Sequence, residues 1–229
     1  MFQHQPRSTS SRRGSTMNKK NKSIFLMQKN IDSDDESDDD ASNSSSGTMK
    51  KISKENNHVY FHAEVNRDNI FELIENIRKC EIDNIVLAHK LCTDPIPIYL
   101  HINSFGGCVF DALTAIDTIK ACKVPVHTII EGATASAGTL MSVVGEKRYI
   151  RPNAYMLIHQ LSSGSWGKMQ ELEDDFENNK VLMDKILDIY KEYAEIPKKQ
   201  LREILKHDLW WNIETCKKYG LVDEVWERA

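Results

Sequence analysis

Between His58 and Val225 the chain alternates short apolar stretches of period two with longer apolar stripes at helical spacing, and that alternation places it in the α/β class. His58 to Phe61 reads as a strand, and Ile70, Leu73, Ile74 and Ile77 mark a helix over residues 69–80. Ile96 to Ile102 alternates as a strand and is closed by Asn103-Ser104-Phe105-Gly106-Gly107. Val109, Leu113, Ile116 and Ile119 then stripe a helix over 109–121, and Pro125 to Glu131 is the next strand. A turn of small residues around Ser136 leads into the apolar run 139–144. Two short strands, 148–150 and 155–159, flank the turn Pro152-Asn153. The longest periodic segment predicts a helix over 168–193, with Glu171, Glu173, Asp174, Asp175 and Glu177 on its solvated face. Ile196-Pro197 breaks it, a helix follows over 198–205, and a turn and strand over 219–225 close the domain.

The chain divides by composition. Residues 1–30 carry seven basic side chains and no acid, whereas Asp32 to Asp40 is almost wholly Asp, Glu and Ser. Such a stretch buries too little apolar surface to offset the entropy of ordering it, so residues 1–57 are expected to be a disordered charged tail and 58–229 a single folded domain. Over 1–57 there are ten basic and eight acidic residues. Subtracting them from the totals of 30 and 34 leaves 20 against 26, a net of −6 for the domain. That balance gives no basic footprint for nucleic acid. No apolar run reaches the roughly 18 residues needed to span a membrane. Cys80, Cys92, Cys108, Cys122 and Cys216 are odd in number and lack C-x-x-C spacing, which points to reduced thiols in a cytoplasmic compartment rather than a disulfide framework or zinc site. The basic, Ser-rich start also shares the composition of an organellar transit peptide, although an acidic run follows it directly.

The chemistry-bearing residues stand in the turns. Ser136 lies in Glu131-Gly132-Ala133-Thr134-Ala135-Ser136-Ala137-Gly138, where small neighbours let backbone and substrate approach and a following helix offers unpaired N–H groups. A packing turn has the same composition, so a base is the needed complement. A serine hydroxyl becomes a useful nucleophile only when a histidine accepts its proton and an acid steadies that histidine. His159, at the end of the apolar strand Met156-Leu157-Ile158, is the histidine best placed to emerge over a cleft. His58, His62 and His89 sit in ordinary polar contexts, and a structural histidine remains the alternative for His159 itself.

Four strings in order, Ile102-Asn103-Ser104-Phe105-Gly106-Gly107, Ala135-Ser136-Ala137-Gly138, Met156-Leu157-Ile158-His159-Gln160 and Tyr219-Gly220-Leu221-Val222-Asp223, resemble the motifs of the proteolytic subunit of Clp protease, the ClpP-like serine peptidases. The likeness runs over residues 58–227. It implies a crotonase-like ClpP fold, a ββα superhelix with a long protruding handle helix, and a serine-type endopeptidase that needs no cofactor or metal. It assigns Ser136 as nucleophile, His159 as general base and Asp208, fifteen positions before Asp223, as the acid. The oxyanion-hole N–H groups fall on Gly106 and Ala137. The segment 160–167 corresponds to an edge that binds polypeptide substrate as an added strand, and the helix over 168–193 to the handle by which two heptameric rings stack. The implied partners are polypeptide substrates, other copies of the chain in a homo-oligomeric ring, and an ATP-driven AAA+ unfoldase.

The resemblance has departures. Phe105 stands where the family has proline, the connection from Ser136 to His159 is about two residues short, and residues 1–57 do not match the family's axial loops. Alternatives within reach are a peptidase that processes a capsid or other specific partner, a catalytically silent ring subunit, and an acyl-CoA hydratase or isomerase on the same fold, which would not need Ser136, His159 and Asp208 together.

Overall fold

The computed structural model of the chain describes residues 51–227. Their strands form one seven-stranded sheet. It opens with an antiparallel pair, β1 (Ile52–Glu55) and β2 (His58–Phe61), turned at Asn56, whose φ of 54° is one that asparagine adopts more readily than most residues. After helix α1 (Arg67–Leu91), β3 (Ile98–Ser104) adds parallel to β2, and after α2 (Val109–Ala121), β4 (Val126–Ala135) adds parallel to β3. A short helix α3 (Ala137–Val143) leads to β5 (Lys147–Ile150) and β6 (Tyr155–Leu157). Both are parallel to β4, β5 along His127–Ile130 and β6 along Ala133–Ala135. Helices α4 (Met169–Tyr193), α5 (Lys198–Ile204) and α6 (Ile213–Lys218) follow, and β7 (Glu224–Val225) closes on β5.

The α/β class is as the alternation predicts, with a correction at the start. The expected tail over 1–57 is too long: β1 is ordered against β2, with Ile52 buried in the core, because Ile52 supplies the apolar anchor that a polar tail would lack. The rest of that expectation, residues 1–50, lies outside the described residues. Helix α1 runs beyond the predicted 69–80. Its extension carries exposed Ile82, Ile85 and Val86, which break the one-sided stripe that the sequence reading relied on. Asn66 caps its start by accepting from the Asn69 N–H at 3.0 Å, and Cys92 ends it in a left-handed conformation. Helix α6 has too short a stripe to be read from sequence. It is set by Asn212, whose side chain accepts from the Thr215 N–H.

Alternate residues of β2 and β3, Val59, Phe61, Ile98, Leu100 and Ile102, are buried in one core with Leu73 and Ile77 of α1 and Ala112 and Ile116 of α2. The end of the chain is tied in by Arg148, whose guanidinium donates to Asp223 and to the carbonyls of Tyr193 and Gly220. The Tyr219-Gly220-Leu221-Val222-Asp223 string is thus a structural latch joining β5, the end of α4 and the turn before β7.

The opposite residues of the same strands build a polar and aromatic layer. His58, Tyr60, Tyr99 and His101 stack ring on ring, and Trp226 packs on Tyr99 and Tyr149. A chain of hydrogen bonds runs through it: His58 Nδ1 to His101 Nε2 at 2.8 Å, then His101 Nδ1 to Glu131 Oε1 at 2.8 Å. His62 at 3.2 Å and Arg151 at 3.2 Å complete the shell of Glu131. Burial pushes the Glu131 carboxyl up, but hydrogen bonds from His101 and His62, the His101 charge and Arg151 together outweigh it and hold the carboxyl well below its ordinary range. Burial holds His58 below the ordinary histidine value, helped by His101, and burial does the same for His127 against the pull of Glu146. His127 Nδ1 is buried with no hydrogen-bond partner among the described residues, so a proton there would be unpaired.

All three shifts are downward, so as pH falls the unfolded chain takes up protons before the folded one does. Stability contributed by these groups is complete above the ordinary histidine value of 6.5 and is lost below it, with a further loss below the ordinary glutamate value of 4.5. Thermal unfolding of the full chain from pH 8 to pH 4 should give a flat melting temperature above neutrality and a progressive fall in the acid range. Glu131→Gln should lower stability at neutral pH by about 1–3 kcal/mol and, when the scan is carried to about pH 2, remove the further loss below 4.5.

Candidate active site

Ser136 follows directly on β4 and caps α3. Its backbone is at φ 54° and ψ −126°, an uncommon conformation for a residue with a β-carbon. Neighbouring groups hold it there. The Ser136 N–H donates to the Leu157 carbonyl at 2.9 Å, and the Ser136 carbonyl accepts from the Thr139 N–H at 3.0 Å and the Thr139 hydroxyl at 2.6 Å. The loop after β3 presses on this elbow. A β-carbon at Gly106 would lie 2.6 Å from Ser136 Cβ and 3.0 Å from the Ala137 nitrogen, and one at Gly107 would lie 2.2 Å from the Val65 carbonyl oxygen. Both glycines also have positive φ, so no other residue fits this approach. Val65 pins the loop from the far side, donating to the Gly106 carbonyl at 2.8 Å and accepting from the Cys108 N–H at 2.7 Å.

His159 lies two residues beyond the end of β6, the strand that borders the last residues of β4. Asp208 lies between two backbone anchor points. Met156 and Trp211 exchange hydrogen bonds of 3.0 and 2.7 Å, and the Gln160 N–H donates to the Leu205 carbonyl at 2.6 Å. These links lay the segment 205–211 beside 156–160. His159 Nδ1 is thereby 3.7 Å from Asp208 Oδ1. That is an ion-pair separation, longer than a hydrogen bond. Burial pushes the His159 imidazole below its ordinary value, while the Asp208 charge pulls it up; burial prevails. A largely neutral imidazole near pH 7 is what a proton acceptor requires. The Ser136 hydroxyl makes no hydrogen bond among the described residues.

The two expected oxyanion donors fare differently. The Ala137 N–H is in the first turn of α3, where no intrahelical carbonyl is available. The Gly106 N–H donates to Ser104 Oγ at 3.1 Å, whereas the neighbouring Gly107 N–H makes no hydrogen bond among the described residues. The sequence assignment of Gly106 therefore competes with Ser104 for the same proton. Phe105 packs edge-on against Trp210 at 6.2 Å, so an aromatic contact braces this loop where a proline ring was missing. Both rings are substantially exposed beside the site. The segment 160–167 is almost wholly exposed. It lies along α4 through Ser163 with Asn179 and Ser165 with Asp175.

Sequence reasoning missed Thr139 and Tyr190, whose hydroxyls are 2.6 Å apart beneath the elbow; a single threonine in an apolar helix carries no pattern. It also missed the Glu131 cluster. The signal was present, since His58, Tyr60 and His62 are two residues apart and so share a face, as do Tyr99 and His101.

A family model described as Clp protease matches residues 53–229. The chain is 35% identical over 151 residues to the ATP-dependent Clp protease proteolytic subunit of Deinococcus radiodurans, covering 63% of this chain and 74% of that protein. It is 35% identical over 134 residues to the subunit of the same description in Streptococcus mutans, covering 57% and 68%. Among solved structures, a mutant of ClpP1 from Listeria monocytogenes is similar with a TM-score of 0.65 and 26% identity, over 75% of this chain and 92% of that one.

Since the Asp208 charge raises the His159 pKa against burial, its removal should lower that pKa further. In an NMR titration of the full chain, Asp208→Asn should move the His159 midpoint to lower pH than in the parent protein. An unchanged midpoint would show that the 3.7 Å pair has no electrostatic consequence.

Proposed function

The chain belongs to the Clp protease family, and from that premise we propose that it is a serine endopeptidase whose nucleophile is Ser136. The observation that carries the reading is the strand-to-helix elbow. Ser136 is held at positive φ beside β6, and His159 and Asp208 emerge 3.7 Å apart from the adjoining segments. In this mechanism the Ser136 hydroxyl attacks the peptide carbonyl as His159 takes its proton. Asp208 then steadies the imidazolium, and the imidazolium returns the proton to the leaving amine. Water repeats the sequence to release the acyl group. The oxyanion is met by the Ala137 N–H and by an N–H of the Gly106-Gly107 pair; Gly107 offers its proton without first leaving Ser104. The 3.7 Å between imidazole and carboxylate is of the kind that tightens when substrate binds.

The reading extends to assembly. Trp166, Met169, Phe176 and Val181 are exposed in and beside the N-terminal half of α4, an apolar surface suited to contact with other copies in a homo-oligomeric ring, with two rings stacked through this helix. The similar subunits are described as ATP-dependent, which supports an ATP-driven unfoldase as the partner that delivers polypeptide. No helix among the described residues is long and apolar enough to cross a membrane.

A fluorophosphonate probe should label the assembled protein, and Ser136→Ala should abolish labelling and reduce peptide hydrolysis by at least about 10³-fold. Because His159 must be neutral to act and its pKa is lowered, kcat/KM should fall only on the acid side of the ordinary histidine value. Labelling that survives Ser136→Ala would remove Ser136 as the nucleophile.

A further inference from the structure

Beneath the elbow the Thr139 hydroxyl has two polar neighbours, the Ser136 carbonyl at 2.6 Å and the Tyr190 hydroxyl at 2.6 Å. Their order follows from counting protons. A carbonyl only accepts, so the single Thr139 proton goes to Ser136, and Tyr190 must donate to Thr139. Thr139 is 0% and Tyr190 1% exposed, so water does not compete for either bond. Burial pushes the Tyr190 phenol well above its ordinary value, which keeps it a donor throughout the working range.

The Ser136 carbonyl belongs to the same planar unit as the Ala137 N–H. In a trans peptide these two groups point in opposite directions. No cis peptide occurs among the described residues. Fixing the carbonyl toward Thr139 and the core therefore aims the Ala137 N–H away from the core, on the side where the elbow meets the loop at Gly106. The geometry points to Tyr190 and Thr139 as positioning residues that lock the Ser136–Ala137 peptide plane and so orient an oxyanion donor, through the relay Tyr190 O–H to Thr139 O–H to the Ser136 carbonyl. The inference rests on the serine peptidase reading given above. Without Tyr190 the Thr139 hydroxyl is an unfilled acceptor free to rotate. The strained elbow then keeps only the Thr139 N–H on its carbonyl.

Loss of an entire oxyanion donor costs about 10²–10³-fold in kcat, so misaiming one should cost about 10-fold. The test compares Tyr190→Phe, Thr139→Val and Thr139→Ser, each assayed as assemblies of the same native mass as the parent. Tyr190→Phe and Thr139→Val are expected to lower kcat about 10-fold with KM unchanged and to slow fluorophosphonate labelling in proportion. Thr139→Ser, which keeps the hydroxyl, should retain most of the parent kcat. The double variant should be no slower than the slower single variant, because the relay acts as a unit. Parent-like kcat and labelling in Tyr190→Phe would overturn the proposal. Should that variant not assemble, the pair at Thr139 decides: equal rates for Val and Ser would also overturn it. Failure of the parent protein to label would instead overturn the peptidase reading on which the inference stands.

Discussion

The site depends on β4 changing neighbours along its length. Its first half is flanked by β3 and β5, and its last three residues by β3 and β6. The change requires extra chain. Between Ile102 and Ser104 of β3 the register advances two residues, while the partners on β4, Ile130 and Thr134, are four apart. Gly132, at φ 57°, sits in the surplus, and Thr134 restores the pairing by donating from Oγ1 to the Ile102 carbonyl at 2.9 Å. This irregularity lets the end of β4 meet β6 instead of continuing beside β5. Ser136 is thereby brought against Leu157, two residues before His159. A regular ladder would have kept β6, and the histidine after it, off this edge.

Where burial made a residue pattern one-sided, the sequence was readable. Helix α2 has the predicted bounds because Ala112, Ala115, Ile116 and Ile119 form one buried stripe, and β2 because Val59 and Phe61 alternate with half-buried polar residues. The proposed site residues were reached through order and spacing in strings that resemble a family. The distances between them were not, because they arise from links with no signature in one chain, such as the Met156–Trp211 pair and the Gln160–Leu205 bond. Strand β1 went unread because a four-residue strand beside a polar tail buries only one large side chain, Ile52. The same limit applies to the donor loop. The sequence Phe105-Gly106-Gly107 does not reveal that Ser104 Oγ engages the first glycine's N–H and leaves the second's unbonded.

The Glu131 cluster and the elbow meet the cost of buried polar groups in different ways. Glu131 is a charge surrounded by donors, in a layer whose His58 and His127 are held below the ordinary histidine value by burial. Beneath Ser136 the polar groups are hydroxyls and a carbonyl with fully matched donors and acceptors, a network without charge. Acid therefore acts first on the sheet face and not on the elbow. Loss of the folded layer and protonation of His159 both lie on the acid side, so under the proposed mechanism activity in acid reflects two separate events.

Rigidity is unevenly distributed among the proposed reacting groups, and the distribution suits the roles proposed for them. Ser136 and the Ala137 N–H are fixed by buried bonds on both faces of the elbow, which suits the proposed nucleophile and oxyanion donor, since such groups must hold their aim while charge develops between them. Asp208 is half exposed, on a surface segment held at Leu205 and Trp211 by links to Gln160 and Met156, and between them by the turn bonds of Lys206 and His207 and by Trp210 on Phe105. To shorten 3.7 Å to a hydrogen bond of about 2.8 Å, that segment has to move by less than about 1 Å, and it carries the exposed side chains of Lys206, His207 and Leu209. Such a shift breaks no buried contact of the core. The strained element is thus the one locked in place, and the adjustment that would align the proposed base falls on surface chain where it costs least.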